Sequence, residues 1–199
     1  MTEKTENYIT AFKSYLDSYA PISETSWLKV VSISQFKTLK KGEVLLQEGT
    51  TAKNIYYICK GALRAYFSDM DGNSYNKNLF MEGNIAASTA SLLEQTPSKF
   101  TLEALEDCIL LYAPYKKYRE LIFENEDLKR YYIAYLEKIW VIEKEQREIS
   151  LVMENATVRY QKLLQKHPDI DRRITKLHIA SHLGITPTQL SRIRKNLKK

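Results

Sequence analysis

Hydrophobic positions change their period twice along the chain. Near the N-terminus Tyr8, Phe12, Tyr15 and Tyr19 recur at spacings of 4, 3 and 4, one face of a helix. Pro21 ends it, and Ser23 is placed to cap a second short helix through about Val31. The pattern then shortens into apolar runs separated by turn residues: Val44–Leu46, Ile55–Cys59, Ala62–Phe67, Tyr75–Phe80, Lys99–Ala104 and Cys108–Tyr112. Five of the six glycines, Gly42, Gly49, Gly61, Gly72 and Gly83, punctuate this region. Asp71-Gly72 has the composition of a hairpin turn. Turn signals at this spacing predict about eight strands between Phe36 and Tyr112, the size of a jelly roll.

After Pro114 the helical period returns. One helix is expected from Tyr115 to about Met153, with a stripe of Leu128, Tyr132, Tyr135, Ile139, Ile142, Gln146, Ile149 and Met153. Steps alternate between 4 and 3, a heptad seam with Gln146 as its polar interruption. Tyr131, Ile133, Leu136 and Trp140 widen the apolar face of the first half, whereas Glu143, Lys144, Glu145, Arg147 and Glu148 charge the second. The helix is therefore expected to pack on its own domain first and then on a second copy, making a homodimer. The alternative, a helix buried within one monomer, fits poorly with a single stripe on a charged helix.

A further helix is expected from Ala156 to about Lys166. Thr175 then stands where it can cap a helix through Leu183, and Gly184 stands where a C-cap needs positive φ. Thr186, Pro187 and Gln189 form a Thr-Pro-x-Gln start with a capping box. The next helix carries Leu190, Ile193 and Leu197 on one side and Thr188, Ser191, Arg192, Lys195 and Lys199 on the other. Helix, glycine turn, helix with a basic outer face predicts a DNA-binding helix-turn-helix, its second helix entering the major groove. Thr186, Thr188, Gln189, Ser191, Arg192, Lys195 and Lys199 are the candidate contacts to double-stranded DNA. Arg192 ranks first as a base reader, because Gln189 also serves the cap.

Charge supports that reading. The net charge is +6, yet residues 155–199 hold 11 Lys and Arg against 2 Asp and Glu, so the rest of the chain is acidic. A solvated basic tail would give the same balance, but not the capping box and glycine turn. The first residues have no export-signal pattern and no apolar run is long enough for a membrane span, so a cytoplasmic, membrane-free protein is expected. Cys59 and Cys108 sit in apolar strands and read as core thiols. His178 and His182, four apart on a helix, imitate a metal pair without a third ligand, so solvated or phosphate-facing histidines are expected and no metal. No histidine precedes His167, which leaves the strands without ligands for metal-dependent catalysis, and no catalytic residue is assigned.

The segments KKGEVLLQEGTTAKNIYYICKGALRAYF (Lys40–Phe67), EALEDCILLYAP (Glu103–Pro114) and LGITPTQLSRIRKNL (Leu183–Leu197) together resemble the Crp/Fnr transcription regulators. The resemblance implies an α+β chain: an effector-type jelly-roll or β-roll domain with N-terminal helices at 1–114, a long dimerisation helix at 115–153 and a small helical helix-turn-helix domain at 154–199. It implies a homodimeric, sequence-specific regulator, with RNA polymerase and a small-molecule effector among the partners. In nucleotide-binding members a cassette Glu holds the ribose hydroxyl and an Arg ten residues on pairs with the cyclic phosphate. Aligned on Pro97, this chain has Ala87-Ser88 and Ser98-Lys99 instead. Lys99 supplies a charge without a bidentate fork. Ala87, Ser88, Thr89, Ser98 and Lys99 are the candidate effector pocket, for no cofactor and with cyclic nucleotide disfavoured. Two readings stay open there, a cavity for an unknown ligand or a roll that only supports the dimer. An interaction module that senses a nucleotide or other small ligand without binding DNA is the competing function; it leaves the basic terminus unexplained.

Overall fold

The computed structural model describes residues 3–69 and 74–197. Helices α1 (Glu3–Asp17) and α2 (Glu24–Ile33) lead into eight strands: β1 (Gln35–Leu39), β2 (Val44–Leu46), β3 (Asn54–Lys60), β4 (Leu63–Ser68), β5 (Ser74–Phe80), β6 (Ile85–Ala86), β7 (Thr101–Ala104) and β8 (Cys108–Pro114). One short helix, α3 (Thr89–Glu94), interrupts them. The strands form two antiparallel sheets of order β1-β8-β3-β6 and β2-β7-β4-β5. Ile58, Leu63, Ala86, Ala104 and Leu110 fill the space between the sheets. The expected hairpin turn at Asp71-Gly72 lies outside the described residues.

Gly61 links β3 to β4 at φ +94°, and a methyl group there would meet the Asp107 carbonyl at 2.8 Å and Cys108 Sγ at 2.6 Å. This close approach sets the strand spacing at that corner. Both cysteines are apolar packing groups, and burial pushes the Cys108 thiol up to about 11 and Cys59 to about 12.

The single long helix expected after Pro114 is interrupted. α4 (Tyr115–Glu124) stops at Asn125, which is extended at φ −123° and ψ 122°, and α5 (Glu126–Leu136) starts afresh. The break has a local cause. The Asn125 side chain donates to the Leu121 carbonyl, while Asp127 receives the Ser23 N–H and the Ser26 hydroxyl, each at 2.8 Å. One carboxylate thus fastens the start of α5 to the start of α2. Ser23 caps α2 as expected, accepting from Ser26 N–H at 3.2 Å.

A π-helical turn (Glu137–Ile142) follows, closed by Glu143 N–H on the Lys138 carbonyl, and then α6 (Glu143–Met153). A π turn takes one more residue than an α turn, so it rotates everything after it by about 100°. The heptad stripe is divided accordingly. Leu128 is buried at 1% exposure, and Tyr132 and Tyr135 pack beside it against the cluster of Phe12, Leu16 and Trp27. Ile142, Ile149 and Met153 are exposed. Leu128 therefore belongs to its own core, correcting its place in the expected interface.

The terminal helices are α7 (Ala156–Lys166), α8 (Ile170–Arg173), α9 (Lys176–Leu183) and α10 (Pro187–Leu197). Tyr160, Ile170, Ile179, Ala180, Leu183 and Leu190 form their core, which continues into Ala62, Met81 and Leu105 of the roll. Among the described residues no helix is long and apolar enough to cross a membrane.

Candidate nucleic-acid interface and ligand cassette

The turn between α9 and α10 is built as its sequence requires. Gly184 adopts φ 68° and ψ 32°, the left-handed cap that a Cβ would strain. Thr186 and Gln189 make a reciprocal capping box: Gln189 N–H donates to Thr186 Oγ1 at 3.2 Å, and Thr186 N–H donates to Gln189 Oε1 at 2.8 Å. Thr175 precedes α9 in an extended conformation, yet its side chain makes no cap bond. Leu190 is fully buried and Ile193 packs beside it, whereas Leu197 is 41% exposed and not a core residue.

These anchors point the other face of α10 to solvent. Thr188, Gln189, Arg192 and Lys195 are exposed. Arg192 and Lys195 make no hydrogen bond or ion pair with another described residue, so both cations are free for an external anion. Ser191 is occupied, donating to the Pro187 carbonyl at 3.0 Å and accepting from Lys176 Nζ at 2.9 Å. Thr186 and Gln189 are held by the cap. Lys199 lies outside the described residues.

Arg194 stands apart from the other basic residues of α10. Its guanidinium bonds Asp171 at 2.5 Å and the Tyr160 hydroxyl at 3.1 Å, and Tyr160 itself donates to Asp171. Arg194 thus ties α10 to α7 and α8. The sequence carried no sign of this, because Asp171 lies far from Arg194 along the chain.

Contrary to expectation, the two histidines of α9 are half-buried and face other parts of the chain. His178 faces Arg64 of β4, and His182 is enclosed near Arg147, with its Nδ1 lacking a partner. Burial, reinforced by Arg147, His167 and Lys166, pulls His182 down to about 4.

The roll's cassette positions come together in a way that closes them. Ser88 and Ser98 are each 2% exposed, and their hydroxyl oxygens lie 2.9 Å apart. Ser98 Oγ is also 2.7 Å from the Phe100 carbonyl. Ser91 accepts from Ala52 N–H and donates to the Thr96 carbonyl. Lys99 is exposed, and Ala87 and Thr89 are half-buried. A ribose phosphate needs a carboxylate, a cationic fork and space between them. Here two small hydroxyls satisfy one another across that space, so the residues present do not fit a cyclic nucleotide. A cavity of about 10 Å³ between α1 and the β3–β8 sheet, and a cleft of about 330 Å³ lined by Ser18, Tyr19, Ala134, Lys138 and Glu143, lie elsewhere.

Residues 36–125 match the family described as cyclic nucleotide-binding domain. The chain is 25% identical over 165 residues to the cAMP-activated global transcriptional regulator CRP of Pasteurella multocida strain Pm70, covering 77% of this chain and 78% of the relative. Its fold is shared with FixK2 of Bradyrhizobium japonicum (TM-score 0.69, 18% identity, 83% of this chain and 85% of that one). It is also shared with the c-di-GMP responsive global regulator CLP of Xanthomonas campestris (TM-score 0.65, 15% identity, 88% and 92%).

Proposed function

We propose that the protein, whose residues 36–125 match the cyclic nucleotide-binding domain family and whose fold is that of the solved FixK2 and CLP regulators, is a homodimeric, sequence-specific DNA-binding transcription regulator of Crp/Fnr type acting in the cytoplasm. The observation that carries this reading is the outer face of α10. A buried Leu190, a left-handed Gly184 and a closed capping box fix the helix, and Arg192 and Lys195 project from it without partners among the described residues. Arg192 is the base reader and Lys195 meets phosphate where the helix leaves the groove. Thr188 and Gln189 lie at the leading end. Two copies joined along the exposed half of the seam present two such helices to a two-fold operator. The reading includes no catalytic step. It includes an effector domain whose cassette has lost cyclic nucleotide, with RNA polymerase as the partner of the bound dimer.

The test is a binding selection on randomised duplex DNA at two salt concentrations. Arg192→Ala is expected to cost ~1–3 kcal/mol per half-site and to relax base preference at one position. Lys195→Ala is expected to weaken all sequences alike and to lower the salt slope by about one unit per subunit. Wild-type sequence preference in Arg192→Ala refutes the assignment of this helix face.

A further inference from the structure

The terminal helices are fastened to the roll by polar groups as well as by apolar packing. α9 lies along β5. Asn76 N–H donates to Ser181 Oγ at 2.8 Å, Ser181 Oγ reaches the Ser74 carbonyl at 3.3 Å, and Asn76 Nδ2 donates to the His178 carbonyl at 2.9 Å. Behind them Arg64 of β4, 9% exposed, pairs with Glu103 at 2.8 Å and lies over the Tyr66 ring. Its Nη1 stands 3.3 Å from His178 Nδ1. Nearby Arg173 of α8 forks onto both Glu82 and Glu106, with shortest contacts of 2.7 Å.

The Arg64–His178 contact has only one chemistry. A guanidinium can donate and cannot accept, so His178 Nδ1 must offer its lone pair and the imidazole must be neutral. A second ring proton would remove the acceptor and set a cation against Arg64. The charged groups facing His178 are Arg64 from β4, Glu103 from β7 and Lys41 from the β1–β2 turn. The one carboxylate among them is already paired with Arg64. Burial comes first and Arg64 second in holding His178 below the ordinary imidazole range.

Arg64 Nη1 also lies 3.4 Å from Asn76 Oδ1 and 3.5 Å from Ser74 Oγ. Among the described residues the buried side-chain polar atoms without a partner are Arg64 Nε, His182 Nδ1 and Arg159 Nε. One belongs to Arg64, one to α9, and the third to the arginine that bonds the last carbonyl of α9. Arg64 Nε lies at the contact with α9, whereas His182 Nδ1 faces Arg147 and Lys166, and Arg159 reaches α9 from α7. All three histidines of the chain lie in its C-terminal part, His167 just after α7 and His178 and His182 in α9.

We propose that the contact between the β4–β5 hairpin and α9 is a proton-controlled latch, closed while His178 is neutral and opened when it is protonated. It goes beyond the DNA-binding reading and does not depend on it. The sign follows from the geometry. The closed state requires the neutral ring, so closure is fully favoured above the ordinary histidine value of ~6.5 and weakens as pH falls below it. One histidine can raise the opening constant by at most about 30-fold between pH 7.5 and pH 5.0. His182, facing Arg147, His167 and Lys166, works in the same direction.

Residue-resolved amide hydrogen exchange on the full chain without DNA tests this. The Asn76 N–H is bonded to the Ser181 hydroxyl, so its protection reports the latch; Ile58 and Leu110 report the roll core. After correction for intrinsic exchange, Asn76 protection is expected to fall at least tenfold from pH 7.5 to pH 5.0 while the core stays protected. His178→Gln keeps an acceptor and cannot titrate, so it is expected to lose most of that pH response. His178→Lys is expected to open the latch at pH 7.5. Unchanged Asn76 protection in the wild type at pH 5.0, or an equal fall in His178→Gln, overturns the proposal.

Discussion

If the lower half of the seam joins two copies, Ile142→Glu combined with Ile149→Glu dissociates them. Ile142 is 44% exposed and Ile149 54% exposed in the single chain. About half of each side chain therefore remains to be covered by a partner. Full burial of an isoleucine stabilises by ~1.5–3 kcal/mol, so the remaining half is worth ~1 kcal/mol per residue. Two residues in each of two copies give ~4 kcal/mol, a thousandfold change in dissociation constant. Burying four new carboxylates adds to that loss. Leu151 provides the control. It is 52% exposed, as open as Ile149, but two residues further on and hence about 200° round the helix. Arg147 bonds Asn78 and the Lys77 carbonyl on that same side, facing the protein's own roll. Sedimentation velocity over a concentration series is the assay. The expected result is a dimer for wild type and Leu151→Glu and a monomer for the double variant. A dimer of wild-type affinity in the double variant, or dissociation caused equally by Leu151→Glu, refutes the seam as the interface.

Two further outcomes follow from the roll. Cyclic AMP titrated calorimetrically is expected to bind at least a hundredfold more weakly than to a cassette with Glu and Arg, because two charged hydrogen bonds of ~1.5–3 kcal/mol each are missing; a micromolar dissociation constant would overturn the reading of Ser88 and Ser98. Asp127→Ala is expected to lower stability by ~2 kcal/mol in urea unfolding, since it removes the carboxylate shared by Ser23, Ser26 and the start of α5. These hydrogen bonds outweigh desolvation and hold the Asp127 carboxyl down to about 2. Its contribution is full above the unfolded value near 4 and lost as pH falls through about 2, so the deficit of Asp127→Ala should shrink across that window.

How much of this was legible depends on the range of each interaction. α7 and α10 can be read from the sequence because their starts are local: Asn155 receives Val158 N–H three residues on, and Thr186 and Gln189 bond each other. The strands are legible for a similar reason, since glycine and turn residues punctuate runs of matching length. The helix after Pro114 misleads because its break at Asn125 depends on Asp127 reaching Ser23, 104 residues away in sequence. The π turn leaves no compositional mark either, and a heptad count passes through Glu137–Ile142 without registering the extra residue. Among the site residues, the exposure of Arg192 and Lys195 follows from helical periodicity. The use of Arg194 within the fold and the inward aim of His178 and His182 depend on elements that meet only in three dimensions.

The partly buried ion pairs of the roll lie where it meets the terminal helices. At Ser88 and Ser98 the roll holds neutral hydroxyls in mutual contact. At its other side it holds Arg64 against Glu103, and Glu82 with Glu106 against Arg173. A partly buried ion pair adds modest net stability, because desolvation offsets most of the attraction, but removing one partner leaves an uncompensated charge and is severe. Such pairs therefore fix orientation more than they add stability. In this roll the fixed orientation is that of the terminal helices, with Arg173 contributing a bidentate fork whose geometry lysine could not reproduce. The roll meets the terminal helices through β4 and β5 against α9 and through the Glu82–Glu106 corner against α8. A ligand can shift the placement of the terminal helices only by as much as it binds one placement better than another.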